Sequence, residues 1–230
     1  MLKFRIKQIC SILVTMLIML IPSIAIAEMP ITIDGYFDDW ADKPHTAFYY
    51  GTYDDRDYEK VALFSDTKAL YGHIKMSDLD GRYDSFVMYL NINNTYNIQF
   101  IIMPTADKKQ IDWSKTIKDF PAGSNFDIAV FDNLNYSNVL GEAVLHIYNK
   151  EYVPGDDVEF SISFDNISKY CNNIPFNEIN NITFTCPSIG EQSVTLAGTS
   201  SEPILGITLT LLVIGLVLLY RKYKQTEKNI

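Results

Sequence analysis

The sequence predicts an all-β domain, an antiparallel β-sandwich, followed by one membrane-spanning helix. Between residues 28 and 197, short runs rich in Val, Ile, Phe and Tyr are separated by turns rich in Asp, Asn, Gly and Pro, which is the spacing typical of antiparallel sandwiches. Near the C-terminus, residues 204–220 form an uncharged apolar run that basic residues follow at once. The segment between the two apolar ends of the chain suits a single domain with its own core.

Two of the predicted strands show strict period-two alternation. In residues 85–92 and 157–164, every second residue is apolar, so one face of each strand points to the core. Glu159 then lies on the opposite face of its strand. Helix is scarce, with short turns only near 112–118 and 166–170. The predicted strands are 31–33, 60–65, 70–76, 85–92, 96–103, 128–131, 141–148, 157–164, 181–186 and 192–196.

The N-terminus, residues 1–27, reads as a secretory signal peptide. It has a basic start, an apolar centre and small residues at Ala25 and Ala27. Because signal peptidase accepts small residues at these positions, we expect cleavage between Ala27 and Glu28. An uncleaved membrane anchor is the alternative.

The C-terminal apolar run, residues 204–220, is expected to cross the membrane. Its seventeen residues give a helix of about 26 Å, near the short end of what spans a bilayer. The basic tail, 221–230, is expected to stay on the cytoplasmic side, which puts residues 28–203 outside the cell. A core helix is the alternative, but the run is apolar on every face.

A resemblance to a sorting signal covers about the last thirty residues. The small and turn-prone linker 198–203, the short span and the basic tail resemble the Firmicu-CTERM signal of surface proteins of low-GC Gram-positive bacteria. This resemblance implies recognition by an exosortase-like membrane enzyme and release or transfer of the protein after cleavage near the linker. An ordinary membrane anchor remains the alternative.

A second resemblance covers about residues 28–197. Residues 31–40 (I-T-I-D-G-Y-F-D-D-W), 61–78, 84–90 and 157–164 together resemble family-nine carbohydrate-binding modules and their DOMON-superfamily relatives, in order and in spacing. The resemblance implies a jelly-roll-like β-sandwich and a ligand-binding role.

The first of these stretches also has a physical interpretation as a structural motif. Asp34 and Gly35 are turn residues, and Gly35 is free to take a positive φ. Phe37 and Trp40, three residues apart, could fold back and cap one end of the sandwich. For Trp40 we therefore expect a core role rather than contact with a ligand.

Glycan binding requires flat aromatic faces that can stack on sugar rings. The candidates are Trp113 and the tyrosine cluster Tyr49, Tyr50 and Tyr53. Sugar-binding members of the family clamp the ligand between two tryptophans, whereas this chain has only Trp113 once Trp40 is assigned to the motif. Ordinary strand composition is the alternative reading of the tyrosines.

Calcium and haem are the two cofactors to consider, each with its own set of residues. Asp78, Asp80 and Asp84 alternate around a turn and could surround a calcium ion, although a solvated acidic loop is the alternative. Some DOMON relatives hold haem with one Met and one His, parts that Met88 and His146 would take. Haem is not favoured, because Met at an alternating apolar position is usually a core residue.

Cys171 and Cys186 are the cysteines that remain once residues 1–27 are removed. Outside the membrane they could form a disulfide that stabilises the fold by about 3 kcal/mol. We favour this bridge slightly over two free buried thiols.

The acidic composition of the chain and its lack of catalytic motifs limit the classes of function that it could have. Residues 28–220 contain 12 bases and 27 acids, which argues against a nucleic-acid partner. No hydrolase, metalloprotease or phosphate-loop motif occurs, and a histidine satisfied at a sheet face is the favoured reading of His73 and His146. We expect a non-catalytic surface protein that binds a glycan or cell-envelope polymer. The alternative is a structural or adhesive surface module, stabilised by calcium, without sugar binding.

Overall fold

A computed structural model describes residues 30–55, 57–79, 81–106, 110–148 and 155–197. All elements named below belong to the unit that begins at Thr32. The signal peptide, the linker, the membrane span, the basic tail and Asp80 lie outside the described residues. Within them, no helix is both long enough and apolar enough to cross a membrane.

The expectation of an all-β fold is confirmed. The described residues contain one short α-helix and three 3-10 turns, at Phe37–Trp40, Ile117–Asp119 and Phe176–Glu178. All strand pairs are antiparallel. The elements are β1 Thr46–Phe48, β2 Glu59–Ser65, β3 Ala69–Lys75, β4 Val87–Ile92, β5 Tyr96–Pro104, β6 Ser124–Asp132, β7 Asn135–Ile147, β8 Asp157–Ser163, α1 Phe164–Tyr170, β9 Asn181–Thr185 and β10 Ser193–Ala197.

The ten strands form one sheet in the order β1-β2-β3-β8-β7-β6-β5-β4-β9-β10. The edge strands of this sheet are β1 and β10, and the residues just after β1 contact those just before β10. The backbone N–H of Glu191 donates to the carbonyl of Tyr49 at 3.2 Å, and the side-chain oxygen of Gln192 accepts from the N–H of Tyr49 at 2.7 Å. The sheet is therefore nearly closed, which covers most of its exposed edge.

The core lies between two halves of this sheet. Phe100 of β5 contacts Phe160 of β8 with ring centroids 5.4 Å apart, and Phe48 of β1 contacts Phe184 of β9 at 6.1 Å. All four rings are fully buried. Burial of one such side chain stabilises a fold by about 1.5–3 kcal/mol, so these contacts hold the strands β1-β2-β3-β8-β7 against β6-β5-β4-β9-β10.

At the start of the domain, one strand prediction was wrong and one strand was missed. Residues 31–33 form no strand, and β1 was not predicted. The following backbone N–H groups, of Asp34 and Gly35, donate to a side chain instead of to a neighbouring strand. The hairpin of β6 and β7 is also longer than predicted. Its tip, residues 132–138, is mostly exposed and polar, so it lacks the apolar alternation that would have identified it.

The disulfide favoured from the sequence is not present in the structure. Cys171 and Cys186 are both buried free cysteines. The backbone N–H of Cys171 donates to Ile167 at the end of α1, and the thiol of Cys186 donates to the carbonyl of Val87. Burial raises the pKa of each thiol to about 11, so each behaves as a small apolar core residue.

Candidate functional site

A row of polar side chains crosses five neighbouring strands. Lys60 of β2 is paired with Lys75 of β3, which is paired with Asp157 of β8. Asp157 is paired in turn with His146 of β7, and His146 with Asn125 of β6. Side chains of antiparallel partners lie about 5 Å apart, so the five residues form a continuous polar strip on the outer face of the sheet.

The segment around Asp34–Trp40 is anchored beside this strip by Glu159. One carboxylate oxygen of Glu159 accepts the backbone N–H groups of Asp34 at 2.8 Å and Gly35 at 2.6 Å. The other oxygen accepts the indole N–H of Trp40 at 3.0 Å. Glu159 lies on the outer face of β8, and the anchored segment buries it completely. Burial raises its pKa to about 7, although the three donors favour the charged form.

Gly35 is required at its position for two reasons. Its φ of +80° lies in the left-handed region that residues with a Cβ rarely adopt. A Cβ would also stand 2.3 Å from the side-chain nitrogen of Asn125. That nitrogen donates to the carbonyls of Asp34 and Gly35 at 3.3 Å each, so the motif and the polar strip are in direct contact.

Trp40 is fully buried, and its ring packs against a histidine. Its ring stacks on His73 with centroids 5.3 Å apart, and Phe37 stacks on the same imidazole at 5.1 Å. Phe37 also meets His146 edge-on at 6.5 Å. The two aromatic residues of the motif thus wall in the imidazole of His73.

His73 is the middle member of a hydrogen-bonded chain. Its Nε2 lies 3.0 Å from a carboxylate oxygen of Asp157, and its Nδ1 lies 3.0 Å from Nε2 of His45. Nδ1 of His45 lies 2.9 Å from the carbonyl oxygen of Lys43. The chain runs from buried Asp157 through buried His73 to His45, which reaches solvent.

The directions of the outer hydrogen bonds in this chain follow from its ends. The carbonyl of Lys43 can only accept, so His45 donates from Nδ1; the carboxylate of Asp157 accepts from Nε2 of His73. The two remaining nitrogens, Nδ1 of His73 and Nε2 of His45, face each other across the hydrogen bond that joins the rings. Burial, and next the charge of His73, lower the pKa of His45.

Asp157 has two further partners. The ammonium group of Lys75 lies 3.4 Å from its second oxygen, and the hydroxyl of Tyr148 also bonds to the carboxylate. Burial, and next the charge of Asp157, raise the pKa of Tyr148 to about 12. The Lys75 ammonium group sits over the Tyr148 ring at 5.3 Å. Asp157 is therefore fully engaged by donors of the protein itself.

These groups line a cavity of about 740 Å³, which we call the histidine cavity. The imidazole Nδ1 of His146 is hydrogen-bonded to the side-chain oxygen of Asn125, which leaves Nε2 of His146 as an acceptor. The ring of Tyr36, 71% exposed, stands at its rim. The lining residues include Tyr36, Phe37, His45, Lys60, Lys75, His146 and Tyr148.

Trp113, the leading glycan candidate from the sequence, lies outside the histidine cavity. Its side chain is 71% exposed, and its ring meets that of Tyr136 edge-on at 5.7 Å. Tyr136 comes from the tip of the hairpin of β6 and β7. The structure therefore gives Trp113 an aromatic neighbour that the sequence did not indicate.

The three candidate tyrosines follow β1 and also lie outside the histidine cavity. The ring of Tyr53 contacts those of Tyr49 and Tyr58, each with centroids 5.2 Å apart. The hydroxyl of Tyr50 donates to the carbonyl of Pro187. Tyr49 and Tyr53 thus form a small aromatic group with Tyr58, from which Tyr50 points away to bond Pro187.

Of the three calcium candidates, Asp80 lies outside the described residues. Asp78 borders a smaller pocket that shares Lys60 and Lys75 with the histidine cavity, and Asp84 accepts the backbone N–H of Ser85. Among the residues that the structure describes, no group of three or more His, Cys, Asp or Glu is placed to hold a metal ion. Of the haem candidates, Met88 is fully buried in the main core, whereas His146 lines the histidine cavity.

Sequence reasoning treated the histidines singly, yet all three of the chain line the histidine cavity. A signal was present in the alternation of the strands. His73 and Lys75 alternate with buried residues in β3, as Asp157 and Glu159 alternate with Val158 and Phe160 in β8. What the sequence lacked was the pairing of β3 with β8.

Comparisons with known proteins add no relative: no family model, curated protein or solved structure matches this chain.

Proposed function

We propose that the chain is a non-catalytic glycan-binding protein of the cell surface and that the glycan lies in the histidine cavity. The observation that carries this proposal is the composition of the cavity, which combines an exposed Tyr36 ring with a strip of hydrogen-bonding side chains. A sugar has a flat apolar face and a rim of hydroxyl groups, so it needs both. A volume of about 740 Å³ falls within the usual range of ligand pockets.

The hydrogen bonds that the ionisable groups of the cavity make within the protein favour ligand binding over catalysis. A general acid or base must be able to exchange a proton with the substrate. Asp157 is buried and accepts hydrogen bonds from His73, Lys75 and Tyr148. Both nitrogens of His73 are also used within the protein. These groups keep the cavity rigid and polar, which suits selective binding.

The fold proposed for this function is the jelly-roll-like sandwich of family-nine modules and their DOMON relatives. Three of the four stretches that carry the resemblance are adjacent in the structure. In the first stretch Asp34, Gly35 and Trp40 donate to Glu159, and residues 61–78 supply β3, which pairs with β8. The motif therefore contributes to the fold through its hydrogen bonds to Glu159. It contributes to the cavity through Phe37, which stacks on His73.

The cell-surface part of the proposal rests on the chain ends. We propose secretion by cleavage between Ala27 and Glu28 and retention by the apolar segment 204–220, with sorting by an exosortase-like enzyme. Mass spectrometry of the protein from its native host tests this. A mature N-terminus at Glu28 is expected, whereas peptides that retain residues 1–27 would contradict secretion. Peptides that join the ectodomain to Arg221, without a shortened form, would leave a plain anchor.

A glycan array probed with the purified full-length chain tests the binding function. The detergent should have no sugar headgroup, because glucoside and maltoside headgroups would compete for the site. We expect retention of a limited set of glycans. Absence of binding to any glycan would contradict the proposal and favour the structural or adhesive module.

A matched pair of variants locates the glycan. Tyr36 and Trp113 are both 71% exposed, so replacing either ring leaves the core intact. We expect Tyr36→Ala to weaken binding about tenfold, in line with one lost stacking contact of about 1–1.5 kcal/mol, and Trp113→Ala to leave it unchanged. The opposite pattern would move the glycan to the pair of Trp113 and Tyr136.

A further inference from the structure

The charges around the histidine cavity differ from those of the chain as a whole. The chain has a formal net charge of −9. The polar strip, however, begins with two adjacent lysines, Lys60 and Lys75, paired across β2 and β3. Like charges directly opposite each other on a sheet are destabilising, so the arrangement costs stability unless something compensates it.

Lys75 is compensated within the protein. Its ammonium group lies 3.4 Å from one carboxylate oxygen of Asp157, and the other oxygen lies 3.0 Å from Nε2 of His73. Both oxygens of this carboxylate are therefore occupied by groups other than Lys60.

Lys60 is not compensated. Its ammonium group lies over the ring of Tyr58 at 5.4 Å, and within the described ranges no carboxylate comes within ion-pairing distance of it. Its side chain is half-buried and lines the histidine cavity. Asp38 also lines this cavity, and Asp55 and Asp78 line a smaller adjoining pocket that Lys60 borders as well. All three carboxylates are exposed, so solvent screens their charges.

We propose that the ligand of the histidine cavity is an anionic sugar whose negative group pairs with Lys60; this inference rests on the glycan-binding function proposed above. A half-buried ammonium group in a cavity attracts a carboxylate or phosphate more strongly than an exposed one does. The sugar ring would then extend along the strip toward Nε2 of His146, with its apolar face against Tyr36. Carboxylated and phosphorylated sugars share the chemistry that this arrangement recognises.

Calorimetric titration of the full-length chain, in a detergent without a sugar headgroup, separates the two sources of charge. One matched pair of probes is tetragalacturonate and its methyl ester, which differ by a methyl group that removes the charge of each sugar. The other pair is maltotetraose with and without a terminal phosphate. We expect the charged member of at least one pair to bind about tenfold tighter at low salt. The advantage should shrink as salt is added, because salt screens the charge.

Three variants assign the effect to Lys60. Lys60→Gln should reduce the affinity for the charged probe to that of its neutral partner and leave the neutral probe unaffected. Lys60→Arg keeps the positive charge and should retain most of the preference. Lys118→Gln removes an exposed lysine outside the histidine cavity and should change neither affinity.

The outcomes distinguish this inference from the proposed function. Equal binding of charged and neutral probes, unaltered in Lys60→Gln, would overturn the anionic ligand while leaving glycan binding intact. A charge preference that survives in Lys60→Gln but is lost in Lys118→Gln would also overturn it. Failure of all four probes to bind, while the array still retains other glycans that carry no charge, would overturn the anionic ligand alone. Failure of the probes together with an empty array would contradict the glycan-binding function as well.

Discussion

The carboxylate of Glu159 accepts the indole N–H of Trp40 at 3.0 Å, joining two residues that are 119 positions apart in the sequence. The same carboxylate holds the backbone of Asp34 and Gly35 with its other oxygen. Three donors from one segment therefore converge on a single buried side chain of β8. The segment has no strand partner of its own, so Glu159 takes over the part that a neighbouring strand would play.

Replacement of Glu159 by Gln should destabilise the fold by about 1–3 kcal/mol. The glutamine side chain would keep one acceptor oxygen for the backbone of Asp34 and Gly35, but its amide group would face the indole N–H of Trp40, donor against donor. Urea denaturation of the variant at pH 8, above the raised pKa of Glu159, measures the loss. Glu142→Gln is the control, since Glu142 is exposed on β7 and its replacement should change stability by less than about 0.5 kcal/mol. Equal stability of the two variants would contradict the anchoring role.

Stability should fall as the pH rises from about 4.5 to about 7. Burial raises the pKa of Glu159 to about 7 in the folded protein, above the value near 4.5 in the unfolded chain. The folded state then binds the proton more tightly, so this contribution is full below the unfolded pKa and is lost as the pH passes through the folded pKa.

Glu159→Gln isolates this contribution from other titrating groups. Burial also raises the pKa of Glu59 to about 7, so some slope will remain in the variant. Between pH 5 and pH 7, we expect the free energy of unfolding to fall by about 2 kcal/mol more in the wild type than in Glu159→Gln. An equal loss of unfolding free energy in the two proteins would show that Glu159 is ionised at both pH values.

Gly35→Ala should cost more stability than Gly51→Ala. Both glycines have a positive φ, +80° and +63°, so each alanine carries a similar backbone strain of about 1 kcal/mol. A Cβ on residue 51 meets nothing within 4 Å, whereas one on residue 35 stands 2.3 Å from Asn125. We expect an additional cost of about 1–3 kcal/mol for Gly35→Ala. Thermal unfolding of the two variants side by side measures it.

The same substitution should weaken ligand binding. Asn125 would have to move, and its hydrogen bond to His146 in the polar strip would be disturbed. Gly51→Ala should leave binding unchanged, because Gly51 does not line the histidine cavity. Normal binding by a folded Gly35→Ala variant would separate the motif from the site.

The two cysteines should resist alkylation in the folded protein. Cys171 and Cys186 are buried, and burial raises the pKa of both thiols to about 11, so little thiolate exists at pH 8. After unfolding in urea without a reductant, both should react with iodoacetamide at once. Peptide mapping by mass spectrometry follows each residue separately. A peptide pair linked through Cys171 and Cys186 in the unreduced sample would restore the disulfide that the structure lacks.

The alternation of inward and outward side chains within single strands was predictable from the sequence. The contacts that outward side chains make across neighbouring strands were not. Period two in β8 correctly places Phe160 inside and Glu159 on the outer face, because the pleat depends on adjacent residues alone. The contact of His73 with Asp157 depends on which strands are neighbours, and these residues are 84 positions apart. No local pattern encodes that pairing, so the histidines could only be judged one at a time.

Exposure of aromatic residues was predictable only in part. Trp40 is buried, in line with the core role expected of it, and Trp113 is exposed. Tyr36 lies within the same motif as Trp40, yet it is as exposed as Trp113 and stands at the rim of the histidine cavity. Its neighbours in sequence face the protein because Glu159 holds them, which is a long-range effect.

The pairing of β3 with β8 has a consequence for the nascent chain. Lys75 and Asp157 are 82 residues apart, so at about 5–20 residues per second the ribosome needs roughly 4–16 s to supply the second partner of β3. During this interval β3 can pair with β2 on one side only, and its other edge is open to any strand it meets. Neither half of the sheet is continuous in sequence, so no early subset of strands can complete itself. The chain is therefore expected to fold late and slowly, and to be most prone to self-association before residues 157–163 emerge.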